Sequence, residues 1–163
     1  SRGLGDVYKR QAGPVSERLG SSLKNMAKLL GVSDRIHWAG MITGEAKAGA
    51  FRGADAFVLT SHQENFGIAV AEALAYGRPV LISDQVNIWR EIESGCGGFV
   101  APDTIDGATQ IITKWEQLSN QERQQMAKAA RAVYERNFTV SAAARDLNNA
   151  LLRAAQASTR YRT

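Results

Sequence analysis

Glu64 and Glu72 lie eight positions apart, with Phe66-Gly67 between them, in the run Ser61-His62-Gln63-Glu64-Asn65-Phe66-Gly67-Ile68-Ala69-Val70-Ala71-Glu72. A carboxylate accepts paired hydrogen bonds from vicinal hydroxyls, so each glutamate is suited to hold a diol. Gly67 lets the backbone come close to a ligand. A helix starting there presents unpaired N–H groups, those of Phe66, Gly67, Ile68 and Ala69, and a partial positive charge. The pattern points to a ligand that is anionic at one end and rich in hydroxyls at the other, as a nucleotide sugar is. An E-x7-E spacing is common by itself, and a dipole-stabilised turn residue plus a solvated helix residue would account for it equally well. The surrounding elements decide between the two.

Those elements are readable from periodicity and punctuation. Gly13-Pro14 is a break. Residues 16–31 carry Leu19, Leu23, Met26, Ala27 and Leu30 at helical spacing, with Gly31 as C-cap. Residues 35–40 read as a short strand and 45–52 as a short helix. Residues 54–60 are an apolar run of strand length, the kind buried in a parallel sheet. The two-glutamate run follows at once and supplies a helix over 67–76 that stops at Gly77. Residues 79–82 read as the next strand, 87–94 as a helix and 98–101 as a strand. After Pro102 the pattern is helical throughout. Ser119-Asn120-Gln121-Glu122 is a capping box, and Thr139 caps a last helix with the stripe Val140, Ala143, Ala144, Leu147, Ala150, Leu151 and Ala154. Alternating strands and helices predict an α/β, Rossmann-like parallel sheet with helices on both faces and a helical C-terminal tail. Ligands of such sheets bind at the C-terminal ends of the strands, where the glutamate run begins.

The predicted organisation is a core over residues 12–102 and C-terminal helices of the same domain over 103–163. Residues 1–11, SRGLGDVYKRQ, show neither period and are expected to be a junction foreign to the fold. The 163 residues suffice for a core without disulfides or metals, and 44% hydrophobic content is that of a soluble globular domain. One cysteine, Cys96, excludes an intramolecular disulfide and suits a reducing, cytoplasmic setting. The pI near 9.5 invites a nucleic-acid reading, but the charge is terminal. Arg2, Lys9 and Arg10 outweigh Asp6 at one end. Arg145, Arg153, Arg160 and Arg162 outweigh Asp146 at the other, and the stretch between sums to −1. A solvated terminal helix explains the C-terminal cations most simply. Weak peripheral attraction to the inner face of an anionic membrane is the second reading.

Ser-x-x-Glu-x-Phe-Gly followed by Glu-Ala-x-Ala-x-Gly-x-Pro-Val resembles the C-terminal domain of retaining glycosyltransferases of the GT-B fold, the glycosyltransferase group 1 family. The resemblance runs from about Ala12 to about Leu152. It includes Asp34-Arg35-Ile36, the Gly40 turn, Ala54-Asp55 and Phe138-Thr139. It implies that Glu64 is the catalytic carboxylate at the donor sugar. The amides of Phe66, Gly67 and Ile68 would hold the distal phosphate, Asn65 would be a further substrate-binding residue, and Glu72 would hold the ribose hydroxyls. Met41 and Ile42 would meet the nucleobase through their backbone. It also implies retention of anomeric configuration, a nucleotide-diphosphate sugar as donor substrate, and neither cofactor nor metal. The family domain opens with a further strand–helix unit that carries an Arg and a Lys for the diphosphate. That unit and the acceptor-binding N-terminal domain have no counterpart here, so the chain is expected to be a piece of a longer enzyme, inactive alone. The strand expected just before Ala12 is taken to be replaced by the foreign string.

Other residues read more plainly. His62, beside Glu64, could reach the donor but is expected to be a solvent-exposed loop residue. Lys47 could touch the nucleotide but is expected to be an exposed helix lysine. His37 is expected to be structural and the three tryptophans packing residues. Glu91 lies either at the site or on the surface. Cys96 sits between glycines with nothing to lower its pKa. Two competing functions remain: a non-catalytic nucleotide or nucleotide-sugar binding module, and a structural fragment that binds nothing.

Overall fold

A computed structural model describes residues 9–160, which divide at Ala50/Phe51 into two units. In the first, β1 (Lys9–Ala12) lies parallel to β2 (Ile36–Gly40), with Lys9 opposite Ile36 and Gln11 opposite Trp38. Between them runs α1 (Glu17–Leu29), opened by Ser16, whose Oγ accepts from Leu19 N–H at 3.3 Å. It closes where Gly31 takes φ 66 and Val32 N–H reaches back to Ala27 O at 3.0 Å. β1 corrects the expectation that residues up to 11 form no strand. All four of its residues are exposed, so neither face is buried and no alternation of polar and apolar residues is required of them. Its ladder partner is β2. The rest of the predicted junction, residues 1–8, lies outside the described residues. The helix α2 (Gly44–Gly53) crosses the division.

The second unit is built on three parallel strands in chain order: β3 (Phe57–Leu59), β4 (Val80–Ser83) and β5 (Gly98–Ala101). The intervening helices are α3 (Ile68–Ala75) and α4 (Trp89–Ser94). Every residue of β4 is buried, as the apolar run Val80-Leu81-Ile82 requires of a central strand, and Ser83 at its end is a buried polar residue. Val80 and Ile82 face one core with Val70, Leu74, Ile92 and Val133. Leu81 faces the other with Ala101 and Ile111. Each of these large side chains contributes about 1.5–3 kcal/mol by leaving water. The strand predicted over 54–60 is only three residues long. Its ladder begins where Phe57 N–H meets Pro79 O at 2.9 Å, while Ala54 O is held instead by Arg78 Nη1 at 2.9 Å.

Three helices complete the unit: α5 (Ile105–Gln117), α6 (Asn120–Asn137) and α7 (Val140–Arg160). The capping box forms as expected. Ser119 Oγ accepts from Glu122 N–H at 3.3 Å, and Glu122 Oε2 accepts from Ser119 N–H at 2.7 Å. Hydrogen bonds from the Ser119 side chain, then from its backbone, hold the Glu122 carboxyl below its ordinary value. Thr139 caps α7 through Ala142 N–H at 3.1 Å. The predicted stripe on α7 does not pack within this unit. Ala142 is its buried residue, whereas Val140, Leu147 and Leu151 are exposed.

Arg131 of α6 donates to Ala75 O and to Glu135 at 2.7 Å, placing a cation at the C-terminus of α3. That terminus is where the sequence places its stop. Gly77 has φ 63, and Arg78 N–H bonds Ala73 O at 2.9 Å.

At the end of α4 the left-handed residue is Cys96, at φ 54. The preceding Gly95 is needed for packing, because a Cβ there would stand 2.3 Å from Val133 Cγ2. Cys96→Gly is therefore expected to raise the unfolding free energy by about 0.5–1 kcal/mol by removing the left-handed penalty. Urea denaturation followed by circular dichroism measures this, and an unchanged or lower midpoint would contradict it.

Candidate functional site

After β3 the chain crosses the C-terminal ends of the strands before entering α3, and four hydrogen bonds pin it there. Ser83 Oγ, buried at the end of β4, donates to Ser61 O at 2.5 Å. Glu64 N–H donates to Gln85 O at 3.2 Å, and Asn87 N–H to Glu64 O at 3.3 Å, which makes a parallel bridge between Glu64 and Val86. His62 Nδ1 lies 2.9 Å from Asp103 Oδ2, at the end of β5. The loop carrying Glu64 is thus tied to the loops that follow β4 and β5.

The start of α3 depends on Gly67, which has φ 74 and ψ 53, a left-handed conformation. Its carbonyl accepts from Val70 at 2.8 Å and Ala71 at 3.1 Å. The amides of Phe66, Gly67, Ile68 and Ala69 have no acceptor among the described residues, as helix starts dictate. No side-chain cap and no acidic residue competes for this turn. Space is also tight: a Cβ on Gly67 would stand 2.9 Å from Val86 Cγ1 and 3.6 Å from Glu64 Cγ. Phe66 is half exposed and meets the ring of Phe138 edge-on, with centroids 5.9 Å apart. Ile68 is exposed. The arrangement leaves these four backbone donors without acceptors at a positive helix end, the feature that receives phosphate oxygens at helix starts.

The structure brings together the sequence-identified residues Glu64, Asn65, Phe66, Gly67, Ile68 and Glu72 on one loop and helix. Glu64 is half-buried and Asn65 exposed. Glu72 is half-buried in α3 and has a partner, as a carboxylate among apolar neighbours must. Met41 and Ile42 belong to the first unit. They follow Gly40 at φ 63, with Met41 exposed and Ile42 half-buried. His62 is exposed, as expected, but not idle, because it holds Asp103. Lys47 is half-buried and partnered instead of exposed. Glu91 is half-buried in the first turn of α4.

Sequence reasoning missed Ser83, Val86 and Asp103. Their signal was positional: each stands at or just beyond the C-terminal end of a strand, the edge where such sheets bind ligands.

Comparison with known proteins shows the family and the fold. At 30% identity over 136 residues, the chain matches the D-rhamnosyltransferase WbpZ of Pseudomonas aeruginosa, covering 78% of this chain and 33% of that protein. It is 35% identical over 75 residues to mannosylfructose-phosphate synthase of Agrobacterium fabrum, covering 46% of this chain and 16% of the relative. The chain therefore spans a third or less of the length of these relatives. Among solved structures, the Anabaena protein HepE in complex with UDP and glucose superposes with a TM-score of 0.71 at 22% identity, over 88% of this chain and 40% of that one. Sucrose-phosphate synthase of Thermosynechococcus elongatus superposes with a TM-score of 0.72 at 20% identity, over 91% and 38%. These likenesses show a shared fold, the Rossmann-like architecture expected from the alternating elements. The family model described as glycosyl transferases group 1 matches residues 12–133, and the chain belongs to that family.

Proposed function

We propose that this chain is the donor-binding part of a glycosyltransferase that moves a sugar from a nucleotide diphosphate to an acceptor with retention of configuration. The observation that carries the reading is the set of acceptor-free amides at residues 66–69, flanked by Glu64 on one side and Glu72 on the other. When the bond between the sugar and the diphosphate breaks, negative charge grows on the leaving phosphate. Preorganised amides at a helix N-terminus stabilise that charge without reorganising. Glu64, ahead of the helix, faces the sugar end and supports the charge that develops at the anomeric carbon. Glu72, further along the helix, takes the ribose hydroxyls. The acceptor is held by a part of the parent protein outside this chain, so the chain alone binds donor but does not turn over.

The relatives' names are those of sugar-transferring enzymes, which supports the reaction class. No helix among the described residues is long and apolar enough to cross a membrane. We place the parent in the cytoplasm, with the exposed Arg153 of α7 available for the inner membrane face.

The test is calorimetric titration with UDP, GDP and ADP. At least one should bind. Glu72→Ala should weaken it about tenfold or more, the worth of a hydrogen bond to a charged group. Equal affinity in the variant, with circular dichroism unchanged, would sink the reading.

A further inference from the structure

We propose that His62 reads the sugar of the donor through Nε2, with Asp103 as its positioning residue. This deepens the nucleotide-sugar reading and rests on it. The His62 side chain is 86% exposed, and an exposed imidazole without a tie samples many orientations. Here Nδ1 is held 2.9 Å from Asp103 Oδ2, forty-one residues away in the chain, on the far side of β4. An ionised carboxylate only accepts hydrogen bonds, so the shared hydrogen belongs to Nδ1. With that tautomer Nε2 is the lone-pair acceptor, on a side chain open to solvent. Such an atom repels phosphate oxygens and takes the hydrogen of a hydroxyl.

The order along the loop agrees with that chemistry. His62 comes first, then Glu64, then the amides of residues 66–69 suited to phosphate. The loop is pinned at Ser61 and again at Glu64, so His62 lies between two fixed points, at the end away from the phosphates. The ligand class is a sugar hydroxyl of the donor, and the residue determines specificity among donors.

The experiment titrates this chain and three variants, His62→Ala, Asp103→Ala and Asp103→Asn, with UDP, GDP and ADP and with UDP-glucose, GDP-mannose and ADP-glucose. The wild type should bind one sugar nucleotide more tightly than its parent diphosphate. His62→Ala and Asp103→Ala should lose about fivefold to tenfold of that advantage, one neutral hydrogen bond. Their affinity for the bare diphosphate should stay unchanged. Asp103→Asn should keep the advantage, because its amide oxygen still accepts from Nδ1. Equal losses for diphosphate and sugar nucleotide would show a loop anchor only and overturn the inference. So would an undiminished advantage in both alanine variants, or a wild type without any advantage. Binding of none of the six ligands by the wild type overturns the nucleotide-sugar reading, and this inference falls with it. The wild-type titration therefore tells the two failures apart.

Discussion

Gly98→Ala is expected to lower the unfolding free energy by about 3 kcal/mol or more, at or beyond the upper range for overpacking a core. Gly98 pairs with Val80 across the β4–β5 ladder. A Cβ there would stand 1.8 Å from Val80 O and 2.7 Å from both Val80 C and Val80 N. A flexible side chain in the way would move aside, but these are backbone atoms of the central strand. Val80 is fully buried and pinned on its other side by Phe57. The strand pair must open to admit one methyl group, losing ladder bonds and the packing of Phe99 and Val100 with them. A domain whose whole stability is about 5–15 kcal/mol has little to spare for this. Gly49→Ala in α2 is the control: nothing lies within 4 Å of its Cβ position, so the change should be neutral or stabilise by about 0.5–1 kcal/mol. Urea melts of both variants make the comparison. A Gly98→Ala protein within about 1 kcal/mol of wild type would mean that the Val80–Gly98 register is wrong.

Gly67→Ala should act on binding more than on folding. The residue sits at φ 74, which costs a residue bearing a Cβ about 1–2 kcal/mol. The new methyl group also presses on Val86 Cγ1 from 2.9 Å and nears Glu64 Cγ at 3.6 Å. Relief comes only by turning the backbone at Gly67, and that re-aims the amides of residues 66–69 together. The expected result is a folded protein whose affinity for its nucleotide diphosphate falls tenfold or more, read by calorimetry beside circular dichroism. Gly67→Ala combined with Val86→Ala separates the two causes. Recovery of binding would assign the loss to the Val86 contact, and persistence would assign it to backbone conformation. Undiminished affinity in the single variant would show that these amides do not hold the ligand.

What could be read in advance was local. Gly31, Gly77, Ser119 with Glu122, and Thr139 end or start helices through bonds to residues three to five positions away, so their letters suffice. The same holds for the helix start at Gly67, whose carbonyl accepts from Val70 and Ala71, but the loop carrying Glu64 is held by Ser83, Gln85 and Asn87, some twenty residues on. The features that escaped depend on distant partners. The strand β1 exists because β2 lies beside it, and its residues Lys9, Arg10, Gln11 and Ala12, all exposed, carry no trace of that pairing. β3 is short because Arg78, more than twenty residues later, takes the carbonyl of Ala54. Asp103 joins His62 only once three strands are assembled. The stripe of α7 was legible as a helix, but periodicity does not tell what a face packs against, and in this unit it stays in water.

The amides at the mouth of α3 have a consequence for how this site tolerates change over generations. A hydrogen bond donated by the main chain survives nearly any exchange of side chain at the same position. Phe66, Ile68 and Ala69 can each drift through many residue types while their N–H groups stay in place, and only proline deletes a donor outright. Alanine scanning at Phe66 and Ile68 would therefore leave these donors untouched. The burden of constancy falls on Gly67, whose conformation aims the donors, and on Val86 behind it, which leaves room for nothing larger.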